Sequence, residues 1–272
     1  MLGTSRRPTG EVGEGSAENP PADDAEAVRE TENPSGRAAA QLTEKLLGPE
    51  FSCVAGKSAQ LRGTLVHRHF GRLAEPATTR ELHAALADFA ARREDIDPLM
   101  ATFAATFSGP ADTDENQFEE LLWRQLQTLH DLDTGQYPWD PLVDPDPASE
   151  RFGFSVGGHA FFVVGLHPGA SRITRRFPLP TLVFNSHLQF GRLKEKGIYQ
   201  RIQGQVRERE LELQGSLNPN LSEFGAASEA VQYSGRAVPD DWTCPFHPAA
   251  QAYPADPAPV AHKADIEESS TP

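Results

Sequence analysis

Residues 151–190 read RFGFSVGGHAFFVVGLHPGASRITRRFPLPTLVFNSHLQF. RFGFSV meets Gly157-Gly158 and then the apolar run HAFFVVGL, the pattern of a β-hairpin with a buried second strand. The loop HPGASRITRRFP follows, and a third strand, LPTLVF, is expected from Leu179. Downstream, an amphipathic helix is predicted from Ser186 to about Leu213, broken or bent at Gly197 and at Gly204. Upstream, YPWDPLVDPDP from Tyr137 must be a loop, because proline removes a backbone donor and restricts its neighbour. Before it, a helix starting near Asp112 aligns Phe118, Leu121, Leu122, Leu126 and Leu129 and ends ahead of HDLDTG. Leu99 to Phe107 reads as a short strand. Thr78 to Glu81 forms a T-x-x-E capping box ahead of Leu82, Ala85, Leu86 and Phe89 at helical spacing. The fold class is therefore α+β, a small mixed or antiparallel sheet with packed helices and disordered termini.

The chain has 272 residues, 38% of them hydrophobic, enough for one large core. Residues 1–37 are rich in Gly, Pro, Ser, Glu and Asp, and residues from about Pro248 repeat that character. Both are expected to be disordered tails around a single domain over 38–247. The net charge of −14, much of it in the first tail, argues against nucleic acid as a partner. The longest apolar run, Ala160 to Leu166, is too short to span a membrane, and no apolar stretch follows the N-terminal arginines as a secretory signal needs. Two cysteines, Cys53 and Cys244, fit a reducing compartment, so the expected location is cytoplasmic.

His167 follows a buried strand and precedes Pro168-Gly169, which puts an imidazole at a strand end on a stiff turn. Arg172, Arg175 and Arg176 then offer guanidinium forks for carboxylates or phosphates. His187 stands at the start of the next helix, with Phe184 and Phe190 close in sequence. Imidazole for iron, aromatic faces for a macrocycle and guanidinium for propionates would make a haem site; hydrogen-bonded structural histidines and a solvated basic turn are the alternative. Cys244 forms C-x-x-H with His247, half a zinc site, and reads either as a thiolate ligand of haem or as a buried structural cysteine. Gly56-Lys57-Ser58 is no P-loop, since the required earlier glycine position holds Phe51. His67 and His69 could pair on a metal but read more simply as decoration of a surface hairpin. Glu119, Glu120, Asp131 and Asp133 read as the polar face and end of a helix, and no E-x-x-H pair suggests a di-iron site.

CVAGKSA, FEELLWRQLQTLHDLD, GLHPGASR, RRFPLPTLVFNSHLQF, LQGSLNPNLSEFG and QYSGRAVPDDWTCPF, in that order over about residues 50–247, resemble the YqcI/YcgG family. The resemblance implies a haem-dependent N-oxygenase of guanidine or amine nitrogens. More specifically it implies a monooxygenase that converts L-arginine to Nω-hydroxy-L-arginine in antibiotic biosynthesis of the D-cycloserine type. Haem b would sit on His167 or His187; His167 is placed first, which makes His187 a second axial ligand or distal group, with Cys244 a lesser alternative and Arg172, Arg175, Arg176 and Phe184 around the site. Dioxygen and a separate reductase acting as external electron donor are the implied partners. A guanidinium substrate needs a carboxylate; the candidates are Glu229 first, then Glu223 and Asp241, with Asn218 and Tyr233 as neutral partners. A haem carrier or sensor without turnover, and a haem-free binding module, are the competing readings.

Overall fold

The structure, a computed structural model, describes residues 33–97, 101–221 and 227–249. The hairpin forms as its sequence predicts: β3 (Phe154–Val156) and β4 (His159–Leu166) pair antiparallel. Gly157 and Gly158 supply the two positive φ values, 63° and 71°, that the tight turn needs. β1 (Leu65–Arg72), β2 (Thr102–Gly109) and β5 (Thr181–Ser186) complete a sheet of order β1-β2-β5-β4-β3. The sheet is mixed. β1 runs parallel to β2, joined through helix α3 (Pro76–Ile96), and the remaining neighbours are antiparallel.

α3 and α4 (Glu115–Asp133) pack on one face. Strand side chains alternate between faces, so Phe103 and Phe161 meet Phe89 of α3 there and Phe184 packs on both of them, with ring centroids 5.5 to 6.5 Å apart. Each such pair adds about 0.5–1.5 kcal/mol beyond simple burial. Strand β4 must leave room for α4: a Cβ on Gly165 would lie 2.7 Å from Phe118 Cε1. The other face carries α1 (Pro34–Leu47), α2 (Val54–Arg62), α5 (His187–Glu195) and α6 (Tyr199–Gln214).

Several boundaries move from expectation. The N-terminal tail was expected to reach residue 37, but α1 starts at Pro34 behind the Asn33 cap, whose side chain accepts from Ser35 N. Thr78 does not cap a helix: α3 starts two residues earlier on Pro76, and Thr78 and Thr79 are buried within it. The second helix starts at Glu115 with the capping box on Asp114 and Gln117, not near Asp112, and runs through HDLD to Asp133. β2 starts at Thr102, and Leu99 lies outside the described residues. β5 starts at Thr181 rather than Leu179. The long helix is two helices, broken at Gly197 (φ 66°) while Gly204 stays helical. His67 and His69 belong to no hairpin. They lie on β1, and both rings hydrogen-bond Thr106 Oγ1 across the parallel pair.

Candidate functional site

Between the second sheet face and its helices lies a cavity of about 420 Å³. Its floor follows from strand alternation: Thr102 and Ala104 of β2, Phe162 and Val164 of β4, Val183 and Asn185 of β5 all point into it. Leu42 and Leu46 of α1, Phe190 and Leu193 of α5, and Ile202 and Val206 of α6 close it from above. The volume suits a ligand of cofactor or drug size, and the mostly apolar wall is what such sites have.

Polar groups enter at a few points. His187 opens α5 and lines the wall, its Nε2 3.0 Å from Glu229 Oε2. Glu229 is buried on a short 3₁₀ turn, Glu229–Gln232, and its other oxygen accepts from Tyr233 Oη. Burial raises the Glu229 carboxyl against the opposing hydrogen bonds from His187 and Tyr233. Burial, then the adjacent Glu229, pushes the Tyr233 phenol well above its usual range. Tyr233 Oη also accepts from Phe154 N at 3.2 Å, so the pair is anchored to the hairpin.

Two cations stand at the far side. Arg172 donates from Nη2 and Nε to Glu210 Oε2 at 2.9 and 3.2 Å, and also to Ser216 O. Burial alone would push Glu210 up, but hydrogen bonds from Thr174, Ser52 and Arg172 hold its carboxyl below the usual range. Arg175 spans Gly165 O (3.0 Å) and Gln232 O (3.2 Å), and burial lowers it to about 10, still cationic at neutral pH. Cys53 caps α2 by accepting from Gly56 N and lines the same cavity; burial raises its thiol, which keeps it protonated.

Of the residues expected at the site, His187, Arg172, Arg175, Glu229 and Asn218 share this cavity. Asn218 is pinned by Nδ2 to Gly235 O and by Oδ1 to Asn220 N. His167 does not join them. It continues the β4 alternation onto the opposite face, 1% exposed, where its ring stacks on Phe118 at 4.2 Å and 12°. That contact covers one ring face, and His167 does not line the cavity. Burial lowers its pKa to about 4, and its Nδ1 has no hydrogen-bond partner among the described residues. Phe184 belongs to the aromatic core beneath the other sheet face, not to the cavity wall. Arg176 is exposed and braces its own loop through Ala170 O and Ser171 O. Tyr233 stands one layer behind Glu229.

Glu229, expected as the guanidinium seat, has both oxygens committed to His187 and Tyr233. Asp241 is exposed and does not line the cavity, and Glu223 lies outside the described residues. Cys244 packs against the aromatic core away from the cavity, its thiol pushed up to about 12 by burial, which does not suit a thiolate ligand. Among the described residues no group of three or more His, Cys, Asp or Glu is placed to hold a bare metal ion, and no helix is long and apolar enough to cross a membrane.

The sequence reading missed α1, although Ala38, Leu42 and Leu46 at helical spacing between Asn33-Pro34 and Gly48 were a legible signal. It also missed Cys53, Glu210 and Glu150 as wall residues. Glu210 carries no local signal, being one charge among many in QRIQGQVRERELELQ.

The fold and site define a mixed α+β protein with helices on both sheet faces and a largely apolar ligand cavity under one of them. The chain belongs to the YqcI/YcgG family, which it matches over residues 42–247. It is similar to the uncharacterised protein YcgG of Bacillus subtilis (strain 168), 28% identical over 199 residues that make up 70% of this chain and 78% of that protein. No solved structure matches it.

Proposed function

We propose that the chain is a haem-dependent N-monooxygenase whose cofactor and substrate share the cavity under the second sheet face. The observation that carries this reading is the His187–Glu229 pair set into an apolar cavity of about 420 Å³. A carboxylate behind an imidazole fixes its ring and strengthens it as a metal donor, the arrangement usual at histidine-ligated sites. Phe190 packs beside that histidine and Phe162 against Phe190, giving the apolar surface a macrocycle requires. Haem, when bound, would supply activation of dioxygen for transfer of one oxygen atom to a substrate nitrogen.

The residues then divide as follows. His187 would hold the haem iron, with Glu229 orienting its ring and Tyr233 holding Glu229 in place. Arg175, cationic and in the wall, favours an anionic propionate nearby, while Arg172 is already neutralised by Glu210 and serves the fold. Glu150, exposed at the cavity mouth with no ion pair among the described residues, is the seat for a guanidinium. Histidine enters the wall once among the described residues, which favours turnover over a bis-histidine carrier or sensor. The reaction we infer is L-arginine to Nω-hydroxy-L-arginine, in antibiotic assembly of the D-cycloserine type, with electrons from a separate reductase.

Purified chain reconstituted with haem and given L-arginine, dioxygen and a reductant should yield a hydroxyguanidine. A Soret band without product under several donors would return the reading to a carrier. Absence of any Soret band would leave a haem-free binding module, which the aliphatic walls of the cavity would also serve.

A further inference from the structure

Behind the cavity wall the oxidisable side chains form a column. Glu229 lines the cavity, and Tyr233 Oη donates to it. The Tyr233 ring stacks on Trp123 of α4 with centroids 5.6 Å apart and planes 19° apart. Trp123 lies 6.2 Å from Trp242, which is half-buried and borders Asp240 and Asp241 on the exposed surface. Tyr233 and Trp123 are themselves sealed from solvent, at 0% and 3% exposure. The third tryptophan, Trp139, stands apart: Phe246, which does not oxidise readily, lies between it and Trp123.

We propose that Tyr233, Trp123 and Trp242 form a one-electron path linking the cavity wall to the surface, with Glu229 as the proton acceptor of Tyr233. The use we give this path rests on the haem reading, since an oxygenase that misfires leaves a strong one-electron oxidant in its cavity. That oxidant takes an electron from Tyr233. The O–H bond breaks as the electron leaves, and the proton passes along the existing hydrogen bond to Glu229 Oε1, giving a neutral tyrosyl radical. Trp123 refills Tyr233, which recovers its proton from Glu229; Trp242 refills Trp123; and a thiol or other reductant at the surface restores Trp242. One electron crosses and no other bond changes.

Two details fit this role. The phenol does not ionise by itself at neutral pH, so its proton leaves only together with the electron. Trp123 Nε1 has no hydrogen-bond acceptor among the described residues, so an oxidised Trp123 has nowhere to send its proton and returns intact once refilled. Glu229 is thus shared between His187 and Tyr233, which ties the start of the path to the donor set of the cavity.

The path can be run from its outer end in the full chain without haem. Azide radicals made by pulse radiolysis oxidise exposed indole, and Trp242 is the most exposed of the three tryptophans. The indolyl absorbance should decay into tyrosyl absorbance at a rate independent of protein concentration. Tyr233→Phe should abolish the tyrosyl product, and Trp123→Phe should slow the conversion by at least an order of magnitude. Trp242→Phe, which keeps an aromatic ring against the core and is checked for folding by circular dichroism, should remove most of both signals, while Trp139→Phe leaves them unaltered. Indolyl decay that is purely bimolecular, or tyrosyl formed undiminished in Tyr233→Phe, would overturn the proposal. A chain that conducts but takes up no haem overturns the haem reading alone.

Discussion

Arg172 was expected to hold a propionate, yet its guanidinium is spent on Glu210, and this makes a stability prediction with a definite size. Both side chains are buried, at 9% and 8% exposure, and together they fasten α6, part of the cavity roof, to the loop after β4. Arg172→Ala removes both bonds to Glu210 Oε2 and the bond to Ser216 O. It leaves a carboxylate whose remaining support is Ser52 Oγ at 2.7 Å and Thr174. Stranding one member of a buried pair costs about 3–5 kcal/mol. Replacing both by apolar residues, Arg172→Met with Glu210→Leu, strands no charge and should cost about 1 kcal/mol or less, or stabilise. Urea unfolding followed by tryptophan fluorescence reads both. The sign of the pH dependence follows from the carboxyl: it is held below its unfolded value, so its stabilisation is present above about pH 4.3 and is lost as pH falls through the lower folded value. The deficit of Arg172→Ala should therefore shrink in acid. A loss below about 1 kcal/mol at neutral pH, or a double variant worse than the single, would refute this account of the pair.

Other expectations test other parts of the architecture. Gly165→Ala drives a methyl group against Phe118 and Leu122 and should cost about 1–3 kcal/mol, seen as a lowered Tm; an unchanged Tm would mean that α4 is free to shift. His67, His159 and His167 are each lowered to about 4, chiefly by burial, so each folded ring resists protonation. No effect is expected above about pH 6.5, whereas stability should fall by up to about 1.4 kcal/mol per pH unit per fully buried group between there and pH 4. His167→Gln should flatten part of that slope, and an unaltered slope in urea titrations would count against the burial of this ring. Val183→Phe fills the cavity from its floor and should reduce haem uptake severalfold while leaving the circular dichroism unchanged; undiminished uptake would place the ligand elsewhere.

The hairpin, the break at Gly197 and the apolar faces of α3 and α4 were legible because each is written in local spacing: paired glycines, a single glycine in a helical run, and apolar residues at i, i+3 and i+4. The placement of His167 shows what spacing leaves out. Histidine at a strand end is visible in sequence, but the face it joins depends on register, and one residue of parity separates Leu166 in the cavity from His167 against Phe118. Phe184 and Asn185 divide in the same way across β5. Arg172, expected at a propionate, does line the cavity, but its partner lies 38 positions away on a helix whose sequence is charged throughout. Glu229 was singled out as a partner for substrate, and only the fold reveals that both its oxygens are already taken.

The central claim is that His187, not His167, presents the imidazole of a haem site. It is tested most directly by titrating haem into the full chain and into His187→Ala and His167→Ala while recording the Soret band. The account predicts a ligated Soret spectrum in the parent chain and in His167→Ala, with loss of axial ligation and weakened binding in His187→Ala. An unaltered spectrum in His187→Ala, or loss of the band only in His167→Ala, would contradict it.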